Sequence, residues 1–382
     1  MKIAYIYDVI YPYVKGGAEK RFWELAKRLS SRGHQVHLIG MKSWEGDNYL
    51  FSEGVHIHGI CAAKNLYLKN GRRNAGQVLY FTWYLIPFLS GERFDIIDCN
   101  AFPYVPFLLV KLFAGFRKIP LVTTWQELWG TYWYKYLGYF KGTIGRIAEL
   151  LVILLSDNII VHTEIVKKEI GKCGISKNKR VNIISHGIDF KTIEAVPKSQ
   201  EGSDLIFVGR LIKEKNVDLL LRAVALVRNE LKNIKCIIIG DGPEKDKLTD
   251  LRQRLSLSRN VIFKGFLGYE EVISLMKAAK IFVFPSMREG FGIVVIEAMA
   301  CGLPVVIVEH PMNAAVEVVR NAGTGSICRL DESDIAKEIL RLSANDSIRT
   351  AMIMKAKDFI SRFDWDTVAK ESELFYNGLL KT

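Results

Sequence analysis

Short β-branched runs alternate with longer helical patterns along this chain of 382 residues, and the alternation occurs twice. In the first half, we predict strands at 2–7, 35–40, 55–59, 95–99, 120–124, 158–162 and 181–184, with a helix over 17–31. In the second half, predicted strands at 204–208, 235–239, 261–264, 281–284 and 304–308 alternate with helices near 216–231, 243–255, 269–279, 292–301 and 312–320. Strands separated by helices predict parallel sheets covered on both faces. We therefore expect an α/β protein with two doubly wound, Rossmann-like domains.

A polar, breaker-rich segment at 195–203 (AVPKSQEGS) indicates a linker between the two halves. We divide the chain into domains 1–195 and 196–362, followed by a C-terminal helix over 363–382 that we expect to return to the first domain. In α/β proteins, ligands bind at the carboxyl ends of the strands. We therefore predict an active site in the cleft between the halves.

The composition is that of a globular protein, with 49% hydrophobic and 25% charged residues. Six scattered cysteines form no CxxC pair, which favours reduced thiols in a cytosolic protein over a disulfide framework or a zinc site. The first strand begins at residue 2, so we expect no signal peptide ahead of it. No apolar run is long enough to span a bilayer, and we expect no integral membrane segment.

Charge and aromatic residues are concentrated in the first half. Residues 1–195 carry 26 Lys and Arg against 16 Asp and Glu, whereas residues 196–382 carry 27 against 25. Two segments, Phe102–Phe116 followed by Arg117 and Lys118, and Trp129–Lys141, combine aromatic and basic residues. Such segments are typical of proteins at an anionic membrane surface. The alternative is that they form core helices and an acceptor cleft.

The stretch from Glu289 to Pro304 (EGFGIVVIEAMACGLP) carries the strongest functional signal. Glu297 lies in a helical run that is apolar on every side, and a buried carboxylate is costly unless something pairs with it. Gly290-Phe291-Gly292 opens that helix, and free backbone N–H groups at a helix start form an anion site. A carboxylate suited to paired hydroxyls, next to a phosphate site with Glu289 at its edge, suggests a sugar nucleotide. The alternative is a surface glutamate on an ordinary helix.

Two further segments indicate phosphate chemistry. Arg210 and Lys215 lie where a strand ends and a helix begins, a suitable place to hold a pyrophosphate. Near the N-terminus, Lys15-Gly16-Gly17-Ala18-Glu19 follows the first strand, where glycines let the backbone approach a ligand. This segment is not GxGxxG, which weakens a nicotinamide interpretation.

Together and in this order, these motifs are specific. The matching segments are KGGAEK at 15–20, SHGID at 185–189, VGRLIKEKN at 208–216, IIIGDGPEKDKL at 237–248 and PSMREGFGIVVIEAMACGLPVV at 285–306. On these residues the chain resembles retaining glycosyltransferases of family 4, which have the GT-B fold with two Rossmann-like domains facing across a cleft. Glu289 and Glu297 have the spacing of that family's E-x7-E donor signature.

The resemblance implies a role for each matching residue. Glu289 would contact hexose hydroxyls and Glu297 the nucleotide ribose, while Arg210 and Lys215 would hold the diphosphate. The N–H groups of Phe291, Gly292 and Ile293 would assist, Gly16 and Gly17 would close over the phosphates, and residues around Gly265 would line the base pocket. The remaining donor-site candidates are Gly209, Asp241 and Gly290.

The implied reaction moves a hexose or N-acetylhexosamine from a UDP- or GDP-sugar to a hydroxyl of a glycan or lipid-linked acceptor, with retention of configuration. The leaving diphosphate would help to take the acceptor proton, so catalysis would be mainly electrostatic. The resemblance implies no cofactor and no metal, because Arg210, Lys215 and the helix terminus supply positive charge. The expected location is cytoplasmic, peripheral on the membrane.

One position departs from the family pattern. After the strand LVTT, family members commonly place a His where this chain has Gln126, with Glu127 and Trp129 following on the acceptor side. An amide donates and accepts hydrogen bonds but does not shuttle a proton. Either this enzyme requires no imidazole there, or this copy is impaired. We count Gln126 with Glu289, Lys215 and Arg210 as candidate catalytic residues.

Three other functions remain as alternatives. A sugar-nucleotide epimerase of similar fold would share the phosphate clamp, and a non-catalytic, membrane-associated protein would keep the fold alone. Nucleic-acid binding would explain the positive charge, but no recognised motif supports it.

Overall fold

The computed structural model describes residues 1–14, 16–64, 66, 73–173 and 179–381. By its internal contacts the chain divides into two compact units. Unit 1 comprises Met1–His186 and Trp365–Thr382, and unit 2 comprises Gly187–Asp364. The division falls before residue 195 because Ile188 and Ile193 are buried in the hydrophobic core of unit 2.

Within the described residues, unit 1 contains an eight-stranded sheet. Its strands are β1 (Lys2–Ile6), β2 (Gln35–Lys42), β3 (Tyr49–Ser52), β4 (Val55–Ala62), β5 (Ile96–Asn100), β6 (Leu121–Thr124), β7 (Asn158–Val161) and β8 (Arg180–Ile183). The spatial order is β3-β4-β2-β1-β5-β6-β7-β8, and every neighbouring pair is parallel except β3 with β4. The sheet reverses order beside β1, as in doubly wound folds.

Helices cover both faces of this sheet. They are α1 (Gly17–Ser31), α2 (Ala75–Gly91), α3 (Tyr104–Arg117), α4 (Tyr132–Leu137), α5 (Tyr139–Leu155) and α6 (Glu164–Lys172). Along β1, Ile3 and Tyr5 join the core beneath α1, whereas Ala4 and Ile6 join the core beneath α2, α3 and α5. Burial on both faces explains why the strands read as continuous apolar runs.

Unit 2 contains a six-stranded sheet in the described residues, with the order β11-β10-β9-β12-β13-β14 and every pair parallel. The strands are β9 (Ser203–Val208), β10 (Cys236–Ile239), β11 (Val261–Gly265), β12 (Ala279–Phe284), β13 (Val305–Val308) and β14 (Gly325–Cys328). The helices are α7 (Phe190–Ala195), α8 (Val217–Glu230), α9 (Lys245–Arg254), α10 (Tyr269–Ala278), α11 (Ile293–Ala300), α12 (Ala315–Ala322), α13 (Glu332–Ser343) and α14 (Asp346–Ile360). The predicted α/β class with two parallel-sheet domains is confirmed.

The last helix, α15 (Trp365–Leu380), follows unit 2 in the chain but packs in unit 1. Trp365, Val368 and Tyr376 are buried in the same core as α1, and the Tyr376 hydroxyl donates to Asp98 at 2.6 Å. The helix therefore completes the hydrophobic face that α1 covers.

Candidate functional site

The predicted donor residues of unit 2 follow the carboxyl ends of its strands. Gly209 and Arg210 come directly after β9, Gly265 ends β11, and Glu289 lies in the loop after β12. Asp241 lies just beyond β10. Because all these strands are parallel, their carboxyl ends form one edge of the sheet.

Lys215 and Glu289 form an ion pair across two of these loops. Their side chains are only 15% and 13% exposed, and the Lys215 ammonium lies 5.1 Å from the centre of the Phe284 ring. Glu289 is fixed by its backbone, because its N–H donates to Met312 and its carbonyl accepts from Ala314, both at 2.9 Å. Sequence reasoning assigned these side chains to different parts of a donor, and the structure brings them into direct contact.

Three buried polar residues that the sequence did not single out hold these loops. Asn313 donates to the carbonyls of Ser286 at 2.8 Å and Val308 at 3.0 Å, and accepts from the Ala315 amide. Asn216, with φ of 47°, donates to the carbonyl of Pro285 at 3.0 Å. The Ser286 hydroxyl also donates to backbone carbonyls in both loops. Buried side chains that form hydrogen bonds to the backbone fix the positions of loops. In the sequence, the signal for these residues was an asparagine close to an apolar segment.

Gly292 directly precedes helix α11, in a backbone conformation that requires glycine. Gly292 has φ of 83°, and a β-carbon there would collide with the Ala315 side chain. Within the described residues, the amides of Gly292 and Ile293 form no hydrogen bond, so they are available to an anion. Phe291 is buried and packs edge-on against Phe363, while Gly290 is half-buried.

Glu297 is buried in α11 and has a neighbour from α10. Its exposure is 8%, and the Tyr269 hydroxyl interacts with its carboxylate. Burial, and then this carboxylate, raise the pKa of Tyr269 well above its ordinary value. Burial and Glu297 also raise the pKa of the Cys301 thiol to about 12. The buried Glu297 carboxylate is therefore stabilised by the Tyr269 hydroxyl, which donates a hydrogen bond to it.

The remaining donor-site candidates are placed as follows. Arg210 is exposed and forms no ion pair with another described residue. Asp241 is exposed and pairs with Lys245 at 2.8 Å, and this hydrogen bond holds the pKa of Asp241 below its ordinary value. The Gly209 amide donates to Ile239, and the Gly265 carbonyl accepts from Gly240.

In unit 1, Gly16 and Gly17 lie at the start of α1, exposed and without a side-chain cap. Lys15 of the same motif lies outside the described residues. Glu19, also in this motif, is half-buried, and burial raises its pKa. The Glu19 carboxylate lies at this helix start, beside Gly16 and its own backbone N–H.

Gln126, just after β6, belongs to a polar network. Its Nε2 donates to the Asn100 amide oxygen at 3.1 Å, and its Oε1 lies 3.1 Å from Nε2 of His162 and 3.0 Å from Nε2 of His186. Both imidazoles are buried. Sequence reasoning gave His162 no role and quoted His186 only within the SHGID motif. It connected neither histidine with Gln126, because 36 and 60 residues separate them from it.

Glu127 and Trp129 lie in the loop after β6. The Trp129 indole donates to Glu127 at 2.6 Å, and its backbone N–H donates to Glu149 at 2.7 Å. Glu149 is fully buried and also accepts from Gly130 and Arg146. A buried carboxylate with these donors fixes the loop.

The aromatic segment from Trp129 to Lys141 divides into two parts. Trp133 is buried, and Trp129 and Tyr136 pack against the same core. Tyr139 and Phe140 are instead 83% and 78% exposed. The rings of Trp129–Leu137 therefore pack on one another, as in the alternative of core helices, and the predicted membrane surface remains a prediction for Tyr139 and Phe140.

Two features are absent from the described part of the chain. It contains no group of three His, Cys, Asp or Glu side chains arranged to hold a metal ion. None of its helices combines the length and hydrophobicity that a bilayer-spanning helix requires.

Comparison with known proteins gives the family. Residues 15–192 match the family described as Glycosyltransferase Family 4, and residues 189–359 match Glycosyl transferases group 1. An uncharacterized glycosyltransferase of Methanocaldococcus jannaschii is 25% identical over 98% of both chains. The gpi3 subunit of phosphatidylinositol N-acetylglucosaminyltransferase from Schizosaccharomyces pombe is 22% identical, over 97% of this chain and 79% of that protein.

Solved structures share the fold. The crystal structure of Anabaena HepE in complex with UDP-glucose has a TM-score of 0.74 and 20% identity, and the match covers 99% of this chain and 100% of that one. The two family matches follow each other along the chain and together span both units. The chain belongs to the family 4 glycosyltransferases, with the GT-B fold.

Proposed function

We propose that this glycosyltransferase binds a nucleotide diphosphate sugar in unit 2 and transfers the sugar, with retention of configuration, to a lipid-linked acceptor at an anionic membrane surface. The observation that carries the donor part is the Lys215–Glu289 pair beside the start of α11. HepE, whose structure holds UDP-glucose, supports a nucleotide-sugar donor. The lipid acceptor named for the gpi3 relative supports a lipid-linked one.

The charged groups of unit 2 explain how it would bind a donor. A diphosphate brings negative charge, and Lys215, exposed Arg210 and the free amides of Gly292 and Ile293 supply positive potential. When the donor phosphate pairs with Lys215, the Glu289 carboxylate becomes available to accept hydrogen bonds from sugar hydroxyls. Glu297, beside Tyr269, is suited to accept from the two ribose hydroxyls. In this proposal the ion pair is the resting state that the donor replaces.

The proposed chemistry needs no metal and no cofactor. Cleavage of the bond between the anomeric carbon and the phosphate oxygen leaves its electron pair on the diphosphate, which Lys215 and Arg210 stabilise. The acceptor hydroxyl attacks the same face of the sugar and passes its proton to the departing phosphate oxygen. Unit 1 would hold the acceptor, beside Gln126, Glu127 and Trp129.

The donor site is tested by Lys215→Met. We expect nucleotide-sugar binding to weaken by roughly 1.5–3 kcal/mol, because a hydrogen bond to a charged group is lost. The measurement is the rise in melting temperature across UDP-, GDP- and ADP-sugars, since a ligand of the native state raises it. Lys213→Met is the matched control, because Lys213 is an exposed lysine two residues away.

Stability and binding are separated by a second pair of variants. Lys215→Met leaves the Glu289 carboxylate without its partner, which lowers stability by itself. Glu289→Gln combined with Lys215→Met removes both charges and should restore the melting temperature without restoring donor binding. Full donor binding in the double variant would overturn the assignment.

The membrane part rests on an exposed surface of unit 1, which we call the α3–α5 face. It comprises Leu112 and Phe116 on α3 and Phe140, Ile144, Ile147, Leu151 and Leu154 on α5. These side chains are 39% to 93% exposed, and those of α5 recur at intervals of four and three residues along one side of the helix. The two helices contact each other. Exposed apolar surface of this extent marks an interaction site.

Charge indicates lipid as its partner. Arg117, Lys118 and Lys141 are exposed next to Phe116 and Phe140. Residues 102–155 are all described, and neither of their acidic side chains, Glu127 and Glu149, is exposed. Aromatic and basic residues side by side, without acidic ones, suit an anionic bilayer surface.

Liposome sedimentation tests this surface. We expect binding to phosphatidylglycerol vesicles that weakens as salt rises, and Phe116→Ser with Phe140→Ser should lower it about tenfold or more, because buried apolar area is lost. Leu374→Ser is the matched control. Leu374 is exposed, and it lies on α15, which packs on the opposite face of the sheet from α3 and α5. If the double variant instead abolished a concentration-dependent dimer and vesicles were never bound, the face would be a protein interface.

A further inference from the structure

Four neighbouring strands of unit 1 bring one polar side chain each to the same edge of the sheet. Asn100 ends β5, and Gln126, His162 and His186 lie two, one and three residues beyond β6, β7 and β8. These strands are adjacent and parallel, so their carboxyl ends lie side by side. Gln126 is at the centre, in contact with the other three.

Hydrogen bonds fix which way the Gln126 amide points. The Asn100 amide nitrogen donates to the carbonyl of Phe102, so the Asn100 amide oxygen is the atom that faces Gln126. Only the Gln126 nitrogen can donate to that oxygen, at 3.1 Å. The Gln126 oxygen therefore faces the two histidines.

The histidines differ in what they give to that oxygen. Nδ1 of His162 faces the Ile184 carbonyl at 2.8 Å, so a neutral His162 carries its proton there and none on Nε2. His186 therefore has to supply the hydrogen bond, from Nε2–H to the Gln126 oxygen at 3.0 Å. Burial lowers the pKa of both imidazoles well below the ordinary value, with Arg21 contributing, so both are neutral.

This arrangement leaves Gln126 with one free capacity. Its oxygen accepts a hydrogen bond from His186, and one amide hydrogen is donated to Asn100. The second amide hydrogen has no partner among the described residues, and the Gln126 side chain is half-buried rather than enclosed. Such a group donates a hydrogen bond and does not accept a proton.

We propose that His186 is a positioning residue for sugar transfer, holding the Gln126 amide so that its second N–H donates to a hydroxyl oxygen of an acceptor bound to unit 1. This inference rests on the proposed function, and it deepens it by giving position 126 a hydrogen-bonding role in place of imidazole chemistry. Gln126 is then the working residue of this chain, and no side chain at 126 takes the acceptor proton. That proton leaves with the diphosphate.

Turnover of four variants tests the proposal. Gln126→Glu keeps the oxygen but removes the amide hydrogens, and we expect kcat to fall roughly 10- to 100-fold, the loss of one strong hydrogen bond. We expect the KM for the donor to change much less. His186→Leu should lower kcat in the same direction, and His186→Gln, which keeps an N–H donor, should recover most of it. Gln126→His should lower turnover, because it adds a third imidazole beside two others.

Two results would overturn the proposal. One is a Gln126→His variant with turnover raised tenfold, since an imidazole would then be what the position lacks. The other is wild-type kcat in His186→Leu.

A measurement that does not depend on turnover uses nitrogen-15 NMR of histidine-labelled protein. We expect the Nε2–H tautomer for His186 in the wild type, and an imidazolium signal from His162 in Gln126→Glu, because the new carboxylate favours it. An Nδ1–H tautomer for His186 would overturn the proposal. Failure of the proposed function would differ: no nucleotide sugar would then raise the melting temperature of the wild type.

Discussion

At the scale of single residues, the donor loops of unit 2 depend on buried polar side chains that bond to backbone. Asn313 is fully buried and bonds to three backbone groups around the Glu289 loop. Glu289 itself pairs through its backbone with the chain at Asn313. Asn313 therefore links the loop after β12 to the loop after β13, and the position of the Glu289 carboxylate depends on it.

Asn313→Ala should lower the free energy of unfolding by about 2–4 kcal/mol, because several buried backbone groups lose their partner. It should also reduce the melting-temperature rise given by the donor, because Glu289 loses its support. Urea denaturation followed by circular dichroism measures the first effect. Asn345→Ala is the control, since Asn345 is exposed and does not cap α14. Equal effects of the two variants would contradict the argument.

Some residues of the candidate site can be predicted from the local sequence, and others cannot. The burial of Glu297 follows from its apolar neighbours, and Gly292 follows from the helix start. The Lys215–Glu289 pair spans 74 residues, and the Gln126–His186 contact spans 60. Such contacts depend on strand order, which single-sequence periodicity does not contain.

At the scale of elements, most strands of both sheets were predicted, whereas two strands at sheet edges, β3 and β14, were missed. The predicted strands lie within a few residues of the observed ones, because strands buried on both faces read as apolar runs. Strand β3 was missed because it is a four-residue edge strand, largely exposed, joined to β4 by a tight turn at Glu53 and Gly54. Strand β14 was missed because GSIC has four residues and becomes a strand only through pairing with β13.

Helix α11 carries the prediction at this scale. Gly292→Ala should destabilise unit 2 by roughly 1–3 kcal/mol, because φ of 83° is unfavourable for alanine and the new methyl group meets Ala315. Adding Ala315→Gly removes the collision but not the backbone strain, so it should recover part of the loss. Denaturant midpoints of the single and double variants measure both contributions. No recovery in the double variant would show that the collision is not relevant.

At the scale of the whole molecule, acid sensitivity should differ between the two units. In unit 1, burial and the neighbouring imidazoles lower the pKa of His37 to about 3, and burial lowers that of His58 to about 4. Below pH 6.5 the unfolded chain binds protons at these sites that the folded unit does not, so stability falls as pH falls. Asp98 acts in the opposite direction, because burial raises its pKa to about 6. Burial also raises the pKa of Asp8 and Glu19, but it lowers the pKa of His56, His162 and His186 as well, so that five histidines oppose three carboxylates.

We therefore expect the urea midpoint of unit 1 to fall between pH 6.5 and 4.5, because unfolding takes up protons at these histidines. Tryptophan fluorescence isolates this unit, because all seven tryptophans lie in it. They are residues 23, 44, 83, 125, 129, 133 and 365. His37→Asn should flatten the dependence on pH. An unchanged slope in that variant would assign the acid sensitivity elsewhere.

Helix α15 has a consequence for the order in which a nascent chain folds. Residues 187–364 of unit 2 are continuous, so this unit has its complete core before Trp365 is synthesised. Unit 1 is synthesised first, but its core is complete only when Trp365 and Tyr376 have been added. Tyr376 also supplies the hydroxyl that donates to Asp98. We expect ribosome-bound chains of increasing length to show protease protection of unit 2 before unit 1, the reverse of the usual N-terminal-first order. Earlier protection of unit 1 would mean that its sheet is stable without its last helix.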